Sequence, residues 1–294
     1  MGRFRLRGRR RRGRGREQKG DLVPLRTVVP NLVTSLAACA GITSISLSSE
    51  GRFVHALVAL IVACVCDGMD GRIARLLKAS SKLGAELDSL ADFVNFGVAP
   101  AMFMYFWMTG GPTHQGVSPL LVRIVLGCAL YYAMCDCFRL ARFNTMLEQE
   151  PLPYWKHFFT GVPAPGGCWM VLTPAILSIA LEAKSKAPAL AHFLQNPWTG
   201  IFMLLFVGTL MASRLPTISL KAIHLHGKSQ VRAFMTVALL IIGLLVCDMW
   251  LTLGVMGLGY MLTVPLTGVV FLKARAKYER SQAKPETAGQ EADA

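Results

Sequence analysis

Apolar runs long enough to cross a bilayer recur along the whole chain, separated by short polar segments. They predict helices over approximately residues 28–48, 53–76, 85–108, 119–140, 163–182, 197–213, 232–250 and 252–272. Pro216 and Pro265 leave the last three the least regular, because proline inside a helix removes a hydrogen bond and kinks or shortens it. The pattern breaks at each flank. Residues 1–26 begin with an arginine- and glycine-rich arm that has no hydrophobic period and is expected to be disordered. Residues 275–294 form a polar tail that need not fold. The expected fold class is an all-α polytopic membrane protein with about eight transmembrane helices.

Composition agrees with this and narrows it. With 53% hydrophobic and 16% charged residues, the chain has too little polar surface for a soluble protein of its length. The net charge of +14 sits mostly in the termini and short loops. It therefore speaks to orientation and lipid headgroups rather than to a nucleic-acid groove. The arm, Arg72 to Lys82, Arg139 to Lys156, Arg214 to Arg232 and Lys273 to Lys284 all fall on one side of the predicted spans. The opposite side keeps only Arg52, Lys184 and Lys186, with Arg123 near a span entry. The positive-inside rule then puts both termini in the cytoplasm. The setting expected is a bacterial inner membrane. The eight cysteines lie in apolar runs without metal-ligand or disulfide spacing and read as small packing residues. His224 and His226, two apart in a basic loop, read as solvated.

One polar stretch interrupts the oily pattern: DGMDGRIARLLKASSKLGAELDSLAD, Asp67 to Asp92. Positions 67, 70, 71, 74 and 75 share one helical face, and Gly84, Asp88 and Asp92 share another. Two helices turning back near Ala79–Lys82 would aim all four aspartates at one spot, where they repel one another unless cations neutralise them. An acidic loop between spans would not keep helical register on both sides of the turn. Oxygen ligands without His or Cys point to hard cations, Mg²⁺ or Mn²⁺, and four carboxylates suffice for two ions. Gly68, Gly71, Ala74 and Gly84 leave helix surface bare for a bulky ligand, and Arg75 offers a fork for a diphosphate. Together these suggest a nucleotide diphosphate at the cytoplasmic membrane face. Acids clustered at one face do not fit a cation transporter, which needs them near the midplane of several spans.

The stretch resembles the signature of the CDP-alcohol phosphotransferases, D-x2-D-G-x2-A-R-x8-G-x3-D-x3-D, at every fixed place: Asp67, Asp70, Gly71, Ala74, Arg75, Gly84, Asp88 and Asp92. The resemblance implies that Asp67, Asp70 and Asp88 bind two divalent metals. It also implies that Asp92 joins the metal site and acts as base on the acceptor alcohol, and that Gly71, Ala74, Arg75 and Gly84 hold the CDP group. A six-helix core over 27–231, typically a homodimer, is implied as well, with 232–274 as two added helices.

Further runs are similar to the phosphatidylserine synthase branch of that family: PNLVT at 30–34, RLARFN at 139–144, GVPAP at 161–165 and SRLPTISLK at 213–221. The branch implies CDP-diacylglycerol and L-serine as substrates. Glycerol 3-phosphate, inositol phosphate or choline remain alternative acceptors. Asn31 and Thr34, three apart at a helix start, either cap that helix or touch the nucleotide. Arg139 and Arg142 either face the acceptor's carboxylate or a lipid headgroup, or are ordinary positive-inside anchors, and Asn144 is a candidate hydrogen-bonding partner beside them. Asp136 and Cys137 stand where the span is expected to carry small apolar residues.

Overall fold

A computed structural model of the protein describes residues 25–79, 81–110, 117–146, 158–183, 187–213, 216–218 and 228–290. The arginine-rich arm, His224 and His226 lie outside them. The helices are α1 (Leu25–Ser49), α2 (Phe53–Leu76), α3 (Lys82–Asp92), α4 (Ala99–Thr109), α5 (Pro119–Met146), α6 (Ala164–Glu182), α7 (Pro188–Gln195), α8 (Pro197–Ala212), α9 (Lys228–Cys247) and α10 (Met249–Gln290). A π-helical turn, Phe93–Val98, joins α3 to α4 without a break. Strands β1 (Phe158–Thr160) and β2 (Pro216–Ile218) form a minimal antiparallel ribbon with Phe158 opposite Ile218. The second of these falls where the sequence predicts a basic loop.

Five helical segments are long and apolar enough to cross a membrane: Val28–Ser49, Phe53–Leu76, Pro119–Thr145, Ala164–Glu182 and Met249–Gly268. Helices α7 and α8, bent by 58° to one another, make a sixth as a broken span. The third predicted span contains the π-turn, and α9 has only a shorter apolar segment, Phe234–Cys247. The described architecture is thus helical and polytopic, with five to six such spans. Its outer surface is oily: α2 exposes Val54, Val58, Val62 and Val65, a stripe that suits hydrocarbon and not water.

Two features of the C-terminal end go beyond the hydrophobic pattern. Helix α10 passes through Pro265 unbroken and runs to Gln290, so the tail from 275 is helical over most of its length. Its Ala, Lys, Glu, Arg and Gln content favours helix even where no apolar face demands it. Helix α10 is also built into the bundle. Trp169 Nε1 donates to the Leu253 carbonyl at 2.9 Å, and a Cβ at Gly254 or Gly257 would collide with Leu177 or Thr173 of α6. Accordingly α6 is the central span, with 72% of its apolar window buried against 28–39% for the other four.

Two matched turns arrange the first three helices. At the end of α1, Gly51 takes φ +75°, its N–H donates to the Ser48 carbonyl at 3.0 Å, and the Arg52 N–H donates to the Leu47 carbonyl at 2.9 Å. At the end of α2, Lys78 takes φ 48°, its N–H donates to the Arg75 carbonyl at 3.2 Å, and the Ala79 N–H donates to the Ala74 carbonyl at 2.9 Å. Both are Schellman endings. Ser81 then caps α3, its Oγ accepting from the Gly84 N–H at 3.0 Å. The chain reverses once at each end of α2, each time within a few residues. The start of α1, the end of α2 and the start of α3 therefore meet at one end of the bundle.

Candidate active site

At that end lies a cleft of about 250 Å³ lined by Asn31 and Thr34 of α1, Asp70, Gly71, Ala74 and Arg75 of α2, and Gly84 and Asp88 of α3, with Pro30, Ala79, Ser81 and Ala85 completing it. It is built by helix period. The buried face of α1 is Pro30, Thr34, Ala37, Gly41, Ser44 and Ser48, small residues at alternating spacings of four and three. Such a stripe lets α2 and α3 approach closely.

Three of the four carboxylates come together. Asp67, Asp70 and Asp88 each bring one oxygen within 4.8 Å of the others. Asp92, one turn beyond Asp88, has its carboxyl within hydrogen-bonding reach of Asp67. Asp70 is 3% exposed and is held by the Thr34 hydroxyl, which donates to Asp70 Oδ2 at 2.6 Å. Asp67 Oδ1 is buried with no hydrogen-bond partner among the described residues. Carboxylates this close, with Asp70 buried among them, are stable only when protons or cations sit between them. A hard divalent cation fits that donor set, since all the offered atoms are oxygens and one of them lacks any other partner.

The nucleotide-side residues divide by what surrounds them. A Cβ at Gly71 would meet nothing within 4 Å, so that surface is open to a ligand. A Cβ at Gly84 would stand 2.9 Å from Asn31 Oδ1 and 3.1 Å from Ser81 Oγ, so this glycine also serves the contact between α1 and α3. Arg75 is exposed at the rim. Asn31 and Thr34 line the cleft from inside a helix that begins at Leu25, which overturns the capping alternative. Thr34 was legible as a candidate, but its partner, Asp70, was not. Ser81, missed as a site residue, carries the ordinary signal of a helix cap three residues before a glycine N–H.

The three acceptor-side candidates part company. Arg142 donates to the carbonyls of Ala212 at 2.9 Å, Ser213 at 2.9 Å and Met211 at 3.3 Å, the unsatisfied end of α8. This ties it to the scaffold. Gly161, at φ +82°, makes room there: a Cβ on it would stand 2.8 Å from the Met211 carbonyl and 2.9 Å from that of Ser213. Asn144 Nδ2 donates to Ser89 Oγ at 3.1 Å, linking α5 to α3 beside Asp88. Arg139 lies within electrostatic range of Asp92, with its Nε on Asp136 Oδ1 at 3.2 Å.

Comparison with known proteins gives the same picture. The family model described as CDP-alcohol phosphatidyltransferase matches residues 27–212. A CDP-diacylglycerol–serine O-phosphatidyltransferase of Mycobacterium leprae is 37% identical over 193 residues, which are 65% of this chain and 60% of that protein. One from Helicobacter pylori is 34% identical over 188 residues, 63% of this chain and 70% of the relative. Another, from Bacillus subtilis, is 33% identical over 165 residues, 54% of this chain and 81% of the relative. Against the mycobacterial relatives the match spans roughly three-fifths of their length.

Proposed function

The chain belongs to the CDP-alcohol phosphatidyltransferase family, and from that premise we propose that it transfers the phosphatidyl group of CDP-diacylglycerol to L-serine, forming phosphatidylserine and CMP. The observation that carries this reading is the convergence of Asp67, Asp70 and Asp88 on a cleft walled by Gly71, Ala74 and Arg75, with Asp92 alongside. The names of the relatives supply the acceptor.

Asp67, Asp70 and Asp88, with Asp92 contributing, would hold the divalent ions, Mg²⁺ or Mn²⁺ and two by the family pattern. When bound, such ions neutralise the diphosphate and the charge that develops on it. The protein's own groups do the rest. Gly71 and Ala74 let the nucleotide approach the backbone of α2, and Arg75 pairs with a phosphate oxygen. Asp92 takes the proton of the serine hydroxyl as its oxygen bonds to the phosphorus that bears the diacylglycerol. The bond from that phosphorus to the bridging oxygen breaks, and CMP leaves with the electron pair. Arg139 meets the serine carboxylate. The acyl chains stay in the bilayer between helices.

The same reading completes the topology. The segment 82–109 and α9 serve as additional crossings, giving eight. The cleft and both termini face the cytoplasm of a bacterial inner membrane, and the enzyme works as a homodimer. The test is acceptor-resolved. Purified full-length chain is incubated with CDP-diacylglycerol and Mn²⁺, adding serine, glycerol 3-phosphate, inositol phosphate or choline singly. CMP release with serine is expected. Release with another alcohol only overturns serine as acceptor, and release with none overturns the reaction class.

A further inference from the structure

Asp136 departs from the apolar span that surrounds it, and no step above uses it. It lies on one face of α5 with Tyr132 and Arg139, at helical offsets of four and three. Tyr132 pins that face to the π-turn: fully buried, its hydroxyl donates to the Phe96 carbonyl at 3.0 Å. The side chain of Asp136 is 0% exposed and that of Arg139 12%. Asp136 Oδ1 accepts from Arg139 Nε at 3.2 Å, whereas Oδ2 has no partner among the described residues. That free oxygen lies 2.8 Å from where a Cβ on residue 97 would stand, so only glycine there leaves it undisturbed. The two terminal amino groups of Arg139 have no partner among the described residues either, and its charge is within electrostatic range of Asp92.

A buried ion pair with one oxygen left over is a poor way to stabilise a bundle. It is a good way to hold a guanidinium in one orientation. With Nε engaged, the remaining edge is the fork of two terminal amino groups, which matches a carboxylate bidentately. We propose that Asp136 is a positioning residue for the acceptor: it grips Arg139 by Nε so that the terminal fork meets the carboxylate of the incoming amino acid beside Asp92, and Gly97 is the space that allows the grip. This rests on serine being the acceptor.

The test uses full-length purified enzyme and separate titrations of serine and CDP-diacylglycerol for Asp136→Asn, Gly97→Ala and the double variant. Each single variant is expected to raise the KM for serine by about tenfold, equivalent to roughly 1.4 kcal/mol. The KM for CDP-diacylglycerol should stay within about twofold. Because both changes act on one contact, the double variant should be no worse than the more severe single one. An unchanged serine KM, or an equal rise for both substrates, overturns the proposal. If Asp136→Asn does not fold, Gly97→Ala decides alone by the same split. Failure of the underlying reading shows separately, as wild-type enzyme that releases no CMP on addition of serine.

Discussion

Replacing Arg142 with alanine separates two roles that the sequence leaves open, acceptor ligand and scaffold. The guanidinium donates to three consecutive carbonyls at the end of α8, two of them at 2.9 Å. It also brings a positive charge to a helix C-terminus, where the macrodipole favours it. Hydrogen bonds from a charged donor contribute about 1.5–3 kcal/mol each in net terms. Arg142 is only part-buried, so water replaces some of the loss, and the bonds share one side chain. A combined effect of about 2–4 kcal/mol follows. For a protein of this size that lowers the apparent Tm by on the order of 5–10 °C. The assay is thermal unfolding of the detergent-purified full chain, with serine titrated below the transition. Arg142→Ala should unfold early and keep its serine KM within about twofold, and Arg142→Lys, which keeps the charge but loses the fork, should fall between. Unchanged unfolding with a serine KM raised about tenfold would refute the scaffold role and return Arg142 to the acceptor.

Three other outcomes are expected. In metal-free protein, Thr34→Val removes the donor to Asp70 Oδ2 and should lower stability by about 1.5–3 kcal/mol; added Mn²⁺ should narrow the gap, because a cation meets the oxygen left bare, and an unaltered gap in thermal unfolding would count against a cation at Asp70. Gly71→Ala should fold at least as well as wild type, since its Cβ meets no atom within 4 Å and alanine favours the helix by roughly 0.5–1 kcal/mol; its KM for CDP-diacylglycerol should nonetheless rise, and an unaltered KM would move the nucleotide elsewhere. Asp92→Asn should lower turnover by about 10²–10⁴-fold while CDP-diacylglycerol binding, followed by equilibrium titration, persists; full turnover in metal-replete enzyme would remove Asp92 as the base.

The spans and the carboxylate cluster were legible because both follow from period. Apolar runs announce membrane helices, and Asp67, Asp70 and Asp88 keep register on each side of a turn whose Ser81 cap is itself a local signal. What escaped was long-range. Nothing near Thr34 in sequence says that its hydroxyl points to Asp70, 36 residues away. Three separated runs, RLARFN, GVPAP and SRLP, gave no sign that Arg142, Gly161 and Ser213 meet at one helix end. The π-turn is invisible to a pattern that assumes 3.6 residues per turn, so the third predicted span gave no sign of the wide turn inside it. The helical tail escaped because propensity without an apolar stripe leaves no periodic trace.

The π-turn has a consequence for how this chain tolerates insertion and deletion. A wide turn of this kind holds one residue more than the α-helix would, and it lies between Asp92 and Ala99. Upstream, α3 must aim Asp88 and Asp92 at the carboxylate cluster. Downstream, α4 must aim Phe103 and Met104 into the core, both almost wholly buried. The wide turn absorbs that extra residue and keeps the two aims in phase. Deleting a single residue from 93–98 would let the turn close to a regular α-turn and leave both aims met, whereas deleting one from the regular turns of α3 or α4 would rotate one half against the other by about 100°. The π-turn is thus where this segment can give up a residue and keep its site.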